Sequence, residues 1–218
     1  GVNSLKNGKA FAAVVIAAIV LSGAGAVSAA QAKNDTQAFL VASPEMLDPL
    51  FRESVILMLP RTNELPLITG VIVNKPAGVP LRQLAPDSGA LKNRSDTAYF
   101  GGPVDLNAPA LVFQSAHPAK GATQISGDIY FSLDPEFVAG MLKSNPIPSH
   151  LRLYFGRAQW APGQLQDEMH AGAWYVVRAA PGVIFSAKPK RLWRRLIDRA
   201  QMRSIIYRRI LTPAAGGR

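Results

Sequence analysis

From residue 38 to residue 179 the apolar positions of this chain fall into short runs, each closed by a proline, a glycine or a polar cluster. AFLVASP (38–44), SVILMLP (54–60) and LITGVIVNKP (67–76) all stop at prolines. TAYFGGP (97–103), PALVFQS (109–115), GDIYFSL (127–133), HLRLYFG (150–156) and AWYVVRA (173–179) continue the style. Runs this short, with β-branched or aromatic members and breakers at their ends, predict buried strands. The runs over 54–59, 70–74, 150–155 and 174–178 are the most apolar, and buried strands are expected there.

Three segments change period. In SLDPEFVAGML (132–142), Asp134 is placed to cap a helix with Pro135 at its first position and Glu136 in its first turn. Phe137, Met141 and Leu142 are its expected buried stripe. GQLQDEMHAG (163–172) predicts a short helix with Leu165 and Met169 four apart and Gly172 as its stop. PKRLWRRLIDRAQ (189–201) predicts a closing helix, with Trp193, Ile197 and Ala200 on one face beside Leu192 and Leu196. APDSGALKNRSDT (85–97) reads as loop. Many short strands with a few short helices predict a single α+β domain, its sheet antiparallel or mixed and partly curled toward a barrel.

The 218 residues suit one domain, and the absence of cysteine excludes disulfides, thiolate nucleophiles and cysteine-ligated metal. The first 32 residues differ from the rest. Lys6 and Lys9 precede the apolar run FAAVVIAAIVL, and small residues follow, ending in Ala30–Gln31–Ala32. This three-part pattern predicts a secretory signal cleaved before Lys33, and hence a periplasmic or exported protein. The alternatives are an uncleaved anchor, if the small residues extend the run, or a cytoplasmic chain.

Charge is uneven too. Residues 33–187 carry 12 basic and 13 acidic side chains, whereas residues 188–218 carry 10 basic ones and only Asp198 as an acid. The basicity therefore belongs to the C-terminal segment. Its expected partners are an anionic membrane surface or an acidic partner, and the near-neutral body gives no support for direct DNA binding. Arginines around an apolar stripe fit either a helix packed on the domain with a solvated basic side, or an amphipathic helix drawn to anionic lipid.

FGRAQWAPGQLQDEM (155–169) holds two adjacent acids after a tryptophan. Pro162–Gly163 predicts a tight turn, with positive φ at the glycine. On the helix that follows, Asp167 and Glu168 point about 100° apart, so they do not form a facing catalytic pair. Trp160, beside the turn, belongs either to the core or to a pocket wall.

It is here that a family emerges. FGRAQWAPGQLQDEMHAGAW resembles the signature of the YqgE/AlgH family, a G-Y-x-G-W-x-x-G-Q-L-E-x-E run ahead of a tryptophan. FLVASPEMLDPLFRESVILML (39–59) is similar to that family's opening segment, GVIVNKP (70–76) to its G-L-V-x-N-R-P motif, and YFGGPV (99–104) to its G-G-P-V motif. Departures are Arg157, Gln159 and Gln166 in the signature and PRTNELPLIT ahead of the asparagine motif. The resemblance implies an α+β fold on a mixed, barrel-like sheet over about residues 33–202, leaving 203–218 as a basic extension. Members are commonly named as transcriptional regulators, without a helix-turn-helix or an established reaction.

Candidate chemistry is sparse. His117, His150 and His170 form no metal-ligand spacing, no G-x-S-x-G elbow is present, and HPAKGAT lacks the glycines of a phosphate loop. Neither metal, cofactor nor catalytic residue is expected. Gly101–Gly102 after an aromatic strand fits a strand corner or a close backbone approach, and Asn74 fits a turn former. The functional alternative gathers Asn74, Gly101, Gly102 and Trp160, with the amide of Gln164, around one ligand-binding cleft. Two classes of function follow: a non-enzymatic binding or regulatory protein, or a small-ligand enzyme or hydrolase using that cleft.

Overall fold

A computed structural model of the chain describes residues 36–186 and 188–211. The signal-like segment 1–32 and the last residues of the basic extension lie outside the described residues. Ten strands form a continuous curled sheet: β1 (Gln37–Ala42), β2 (Val55–Met58), β3 (Ile68–Ile72), β4 (Pro76–Pro80), β5 (Thr97–Phe100), β6 (Val104–Gln114), β7 (Thr123–Ser126), β8 (Ile129–Ser132), β9 (Leu151–Trp160) and β10 (Trp174–Ala179). Their order is β10-β1-β2-β3-β9-β6-β8-β7, with β5 paired to β9 and β4 to β5. Every pairing is antiparallel except β5 with β9. Short helices are α1 (Leu81–Leu84), α2 (Pro135–Lys143), α3 (Gln164–His170) and α4 (Val183–Ser186), and α5 (Pro189–Leu211) closes the chain. The domain is thus the expected α+β type, a half-barrel of mixed sheet with helices around it.

The continuous apolar runs arise because both faces of the sheet are covered. In β1, Phe39 and Val41 enter one core cluster with Val55, Leu57, Val71 and Val73, whereas Leu40 and Ala42 enter another with Ile56, Ile72, Trp160 and Trp174. Side chains alternate along a strand, so a strand covered on both sides has no polar phase to show. The first cluster also takes in Val112, Phe131 and Tyr154 from the other half of the sheet, and α5 inserts Leu192, Trp193, Leu196, Ile197 and Ala200 into it. A third cluster, Leu111, Phe113, Tyr130, Leu151 and Leu153, is covered by α1 and α2.

Local details follow the sequence with some corrections. Asp134 caps α2 as expected, its Oδ1 accepting from the Glu136 amide at 2.9 Å. The buried row of α2 is Val138 and Leu142, while Phe137 and Met141 are only partly covered. Adjacent residues on a helix differ by about 100°, and α2 is rolled so that Phe137 meets the Phe113 ring at its margin, the rings 5.7 Å apart and tilted by 34°. Residues 85–97, read as loop, contain a 3-10 turn at Gly89–Leu91 that buries Leu91 completely. β4 and β7 carry no apolar period and were invisible to the pattern. β9 continues to Trp160, through residues read as the approach to a turn.

Candidate functional site

Trp160 ends β9 and Trp174 begins β10, and the two indoles meet edge to face at 6.2 Å with Phe51 against Trp174 at 5.7 Å. Both are nearly buried, so each indole N–H needs an acceptor. One residue supplies both. Glu168 Oε2 accepts from Trp160 Nε1 at 2.9 Å and from Trp174 Nε1 at 2.8 Å, and Oε1 accepts from Gln164 Nε2 at 2.9 Å. Gln164 in turn accepts the Ala161 amide through Oε1 at 3.0 Å, closing the turn. Gly163 has φ of 85°, the left-handed conformation expected of it. Of the two adjacent acids, Glu168 therefore bridges a tryptophan pair while Asp167 stays on the exposed side of α3. The sequence showed Glu168 only as one of two acids pointing apart on a short helix. The available signal was two tryptophans, eight residues before and six after one acid, each needing a partner.

Asn74 follows β3 and both ends of its amide are engaged by backbone. Oδ1 accepts from the Val55 amide at 2.8 Å and Nδ2 donates to the Glu53 carbonyl at 2.8 Å. It thereby fixes a turn in which Glu53 holds a positive φ of 54°. Neighbouring Lys75 donates to the Leu50 carbonyl. Burial lowers its pKa, partly offset by Asp48 and Glu53.

Gly101 and Gly102 sit where the sheet divides. Gly101 donates to Phe155 at 2.7 Å and accepts from Ile72 at 2.8 Å, joining β3 to β9 just beyond the three residue pairs that those strands share directly. A Cβ on Gly101 would stand 2.2 Å from the Gly156 carbonyl oxygen, and one on Gly102 would stand 2.3 Å from the Arg157 carbonyl carbon. Close backbone approach is the reason for the glycine pair. Asn74, Gly101 and Gly102 gather toward one end of β3. Trp160 pairs with Ile68 at the other end, six residues or about 20 Å of strand from Asn74.

Two clefts lie elsewhere, and neither is lined by those five residues. One, of about 260 Å³, has Thr62, Glu64, Thr123, Ser132 and Asp134 in its wall. Part of that polarity is already used: Ser132 Oγ donates to the Gly121 carbonyl at 2.7 Å, and Asp134 caps α2. The other, of about 510 Å³, runs between the end of β10 and α5 over Ala179, Ala180, Val183 and Leu196, with Arg195 and Arg199 at its border.

The charged clusters are similarly structural. Arg94 grips Asp96 through two nitrogens at 2.7 and 3.0 Å and donates to the Pro148 and Ser149 carbonyls, tying two loops together. The Arg94 hydrogen bond holds the Asp96 carboxyl below its ordinary range. Arg152 lies over the Tyr99 ring at 5.3 Å. Burial pushes the Tyr154 hydroxyl strongly upward, which keeps it neutral. At the surface His150 Nδ1 meets Gln114 Oε1 at 2.7 Å, and Gln114 donates to Asp128. Among the described residues no group of three or more His, Asp or Glu side chains is placed to hold a metal ion.

Helix α5 packs its apolar stripe on the sheet and fastens it with Trp193 Nε1 donating to the Ala42 carbonyl at 2.8 Å. Lys190, Arg191, Arg194, Arg195, Arg199 and Arg203 are exposed along the same helix. The segment is thus a helix packed on the domain with a solvated basic side. No helix among the described residues is long and apolar enough to cross a membrane.

Comparison with known proteins agrees with these motifs. A family model described as AlgH-like matches residues 39–204. A UPF0301 protein of Streptomyces coelicolor is 34% identical over 173 residues, 75% of this chain and 86% of its own length. Another, from Chlorobium chlorochromatii, is 31% identical over 72% of this chain and 82% of its own. Among solved structures, the AlgH protein of Pseudomonas aeruginosa superposes with a TM-score of 0.58 at 25% identity, covering 84% of this chain and 95% of its own.

Proposed function

This chain belongs to the AlgH-like family, and from that premise we propose that it is a non-enzymatic binding or regulatory protein whose contact surface is the basic face of α5. One observation carries the reading. The amides of the expected cleft are held by the protein itself: Asn74 by two backbone groups, and Gln164 by the Ala161 amide and by Glu168, which also takes both indoles. None of them is left as a base beside a nucleophile, which is what an enzymatic cleft around Asn74, Gly101, Gly102 and Trp160 would require.

What stands exposed instead is charge. The partner best matched to a row of cations on a rigid helix, set on a near-neutral body, is an anionic surface, and an acidic lipid headgroup layer supplies one. Each basic residue lying close to such a surface contributes about 1 kcal/mol, an attraction that fades within a Debye length as salt rises. An exported form beginning near Lys33 would meet that surface from outside the cytoplasm.

Sedimentation of the native chain with vesicles tests this. Binding is expected to vesicles rich in phosphatidylglycerol and not to pure phosphatidylcholine, weakening with salt, and the double substitution Lys190→Glu, Arg194→Glu should reduce it. Equal binding to both vesicle types would remove the proposal. Recovery of an intact residue 1 in the cytosolic fraction would remove the export part alone.

A further inference from the structure

The groove between β10 and α5 has a composition unlike the rest of the basic surface. Its floor is apolar: Ala179, Ala180, Val183 and Leu196. Two arginines complete its lining, Arg195 and Arg199, one helical turn apart on the same side of α5. Among the described residues neither arginine is in an ion pair, and Asp198, the one acid of α5, does not line the groove. A volume of about 510 Å³ falls in the range of small-ligand sites, which combine apolar walls with a few placed polar groups.

We propose that this groove binds a phosphate-headed amphiphile, with the phosphate monoester between Arg195 and Arg199 and the hydrocarbon chain along the apolar floor. Charge complementarity selects the head. A carboxylate carries a single charge, so it neutralises only one of the two guanidinium cations. A phosphate monoester carries about −1.5 to −2 charges at neutral pH and three acceptor oxygens, enough for two forks at once. The apolar floor selects the tail, because free phosphate would leave it wet. This site deepens the reading of α5 as an anion-facing helix: it would take one lipid out of the surface that the remaining cations attract.

Titration calorimetry of the native chain with monomeric dodecyl phosphate tests the site, with inorganic phosphate and dodecyl maltoside as comparison probes. Saturable one-to-one binding is expected, stronger than either comparison probe by about tenfold or more. The double substitution Arg195→Ala, Arg199→Ala should weaken it by about the same factor. Ala180→Trp, at an exposed position of the groove floor, should block the tail while leaving the thermal transition in place. Equal affinity for inorganic phosphate would reduce the site to surface charge, and equal affinity for dodecyl maltoside would reduce it to an apolar patch. Either result, or unchanged binding in both variants, overturns the assignment. Vesicle binding by the native chain without dodecyl phosphate binding would sink the groove alone, whereas the reverse would sink the surface reading and leave the groove.

Discussion

A single carboxylate organises the corner of the domain that carries the family-like signature. Glu168 accepts three hydrogen bonds, two from tryptophans that are otherwise buried. Removing it leaves two desolvated indole donors without partners, at roughly 1–3 kcal/mol each when the group is left unsatisfied. Glu168→Ala is therefore expected to destabilise the protein by about 2–4 kcal/mol and to lower its melting temperature by several degrees. Tryptophan fluorescence should shift in the native state as well. A native-like melting temperature in that variant would show that water reaches the indoles and that the bridge carries little. The adjacency of Asp167 and Glu168 was plain in the sequence, but their division of labour was not, because it depends on where two distant strands place Trp160 and Trp174.

At the scale of elements, strand β9 holds the two halves of the sheet together. Its first part pairs with β5 and β6, its last three residues with β3. Gly156 lies between, at φ of 75°, and a Cβ there would stand 2.1 Å from the Gly102 carbonyl oxygen. Gly156→Ala combines a disfavoured backbone conformation with a collision against backbone that cannot swing away, so a loss of at least ~2 kcal/mol is expected. Chemical denaturation reads it directly, and a variant as stable as the parent would mean that the crossing relaxes. Strands β1, β2, β3 and β8 were legible because burial on both faces makes them nearly continuously apolar, and β10 by its aromatic and β-branched members, although as an edge strand it leaves Val176 and Arg178 exposed. β4 (PAGVP) and β7 (TQIS) were not: the first is mostly exposed and the second has only partial cover, so neither needed an apolar period. They are strands because a neighbour offers hydrogen bonds.

For the whole molecule, α5 acts as the closing piece. Its Trp193 joins residues 151 positions apart through the bond to Ala42 and fills the cluster shared by both halves of the sheet. Trp193→Ala should cost about 3–5 kcal/mol, as large truncations in a packed core do. Urea unfolding would measure it, and a loss below ~1 kcal/mol would show that the helix is an appendage and not part of the core. Such an outcome would also undercut the rigid platform on which the exposed cations stand. The sequence by itself determined the α+β class, the main strands, the cap of α2, the turn at Pro162–Gly163 and the concentration of charge in the C-terminal segment, since each follows from local periodicity, local backbone preference or simple counting. Only the tertiary structure decided that Asn74 and Trp160 stand at opposite ends of β3, that Gly101 and Gly102 serve a backbone crossing, and that Arg195 and Arg199 border an apolar groove. These are relations between segments far apart in the chain, set by sheet order and curl, and no local pattern of residue types encodes them.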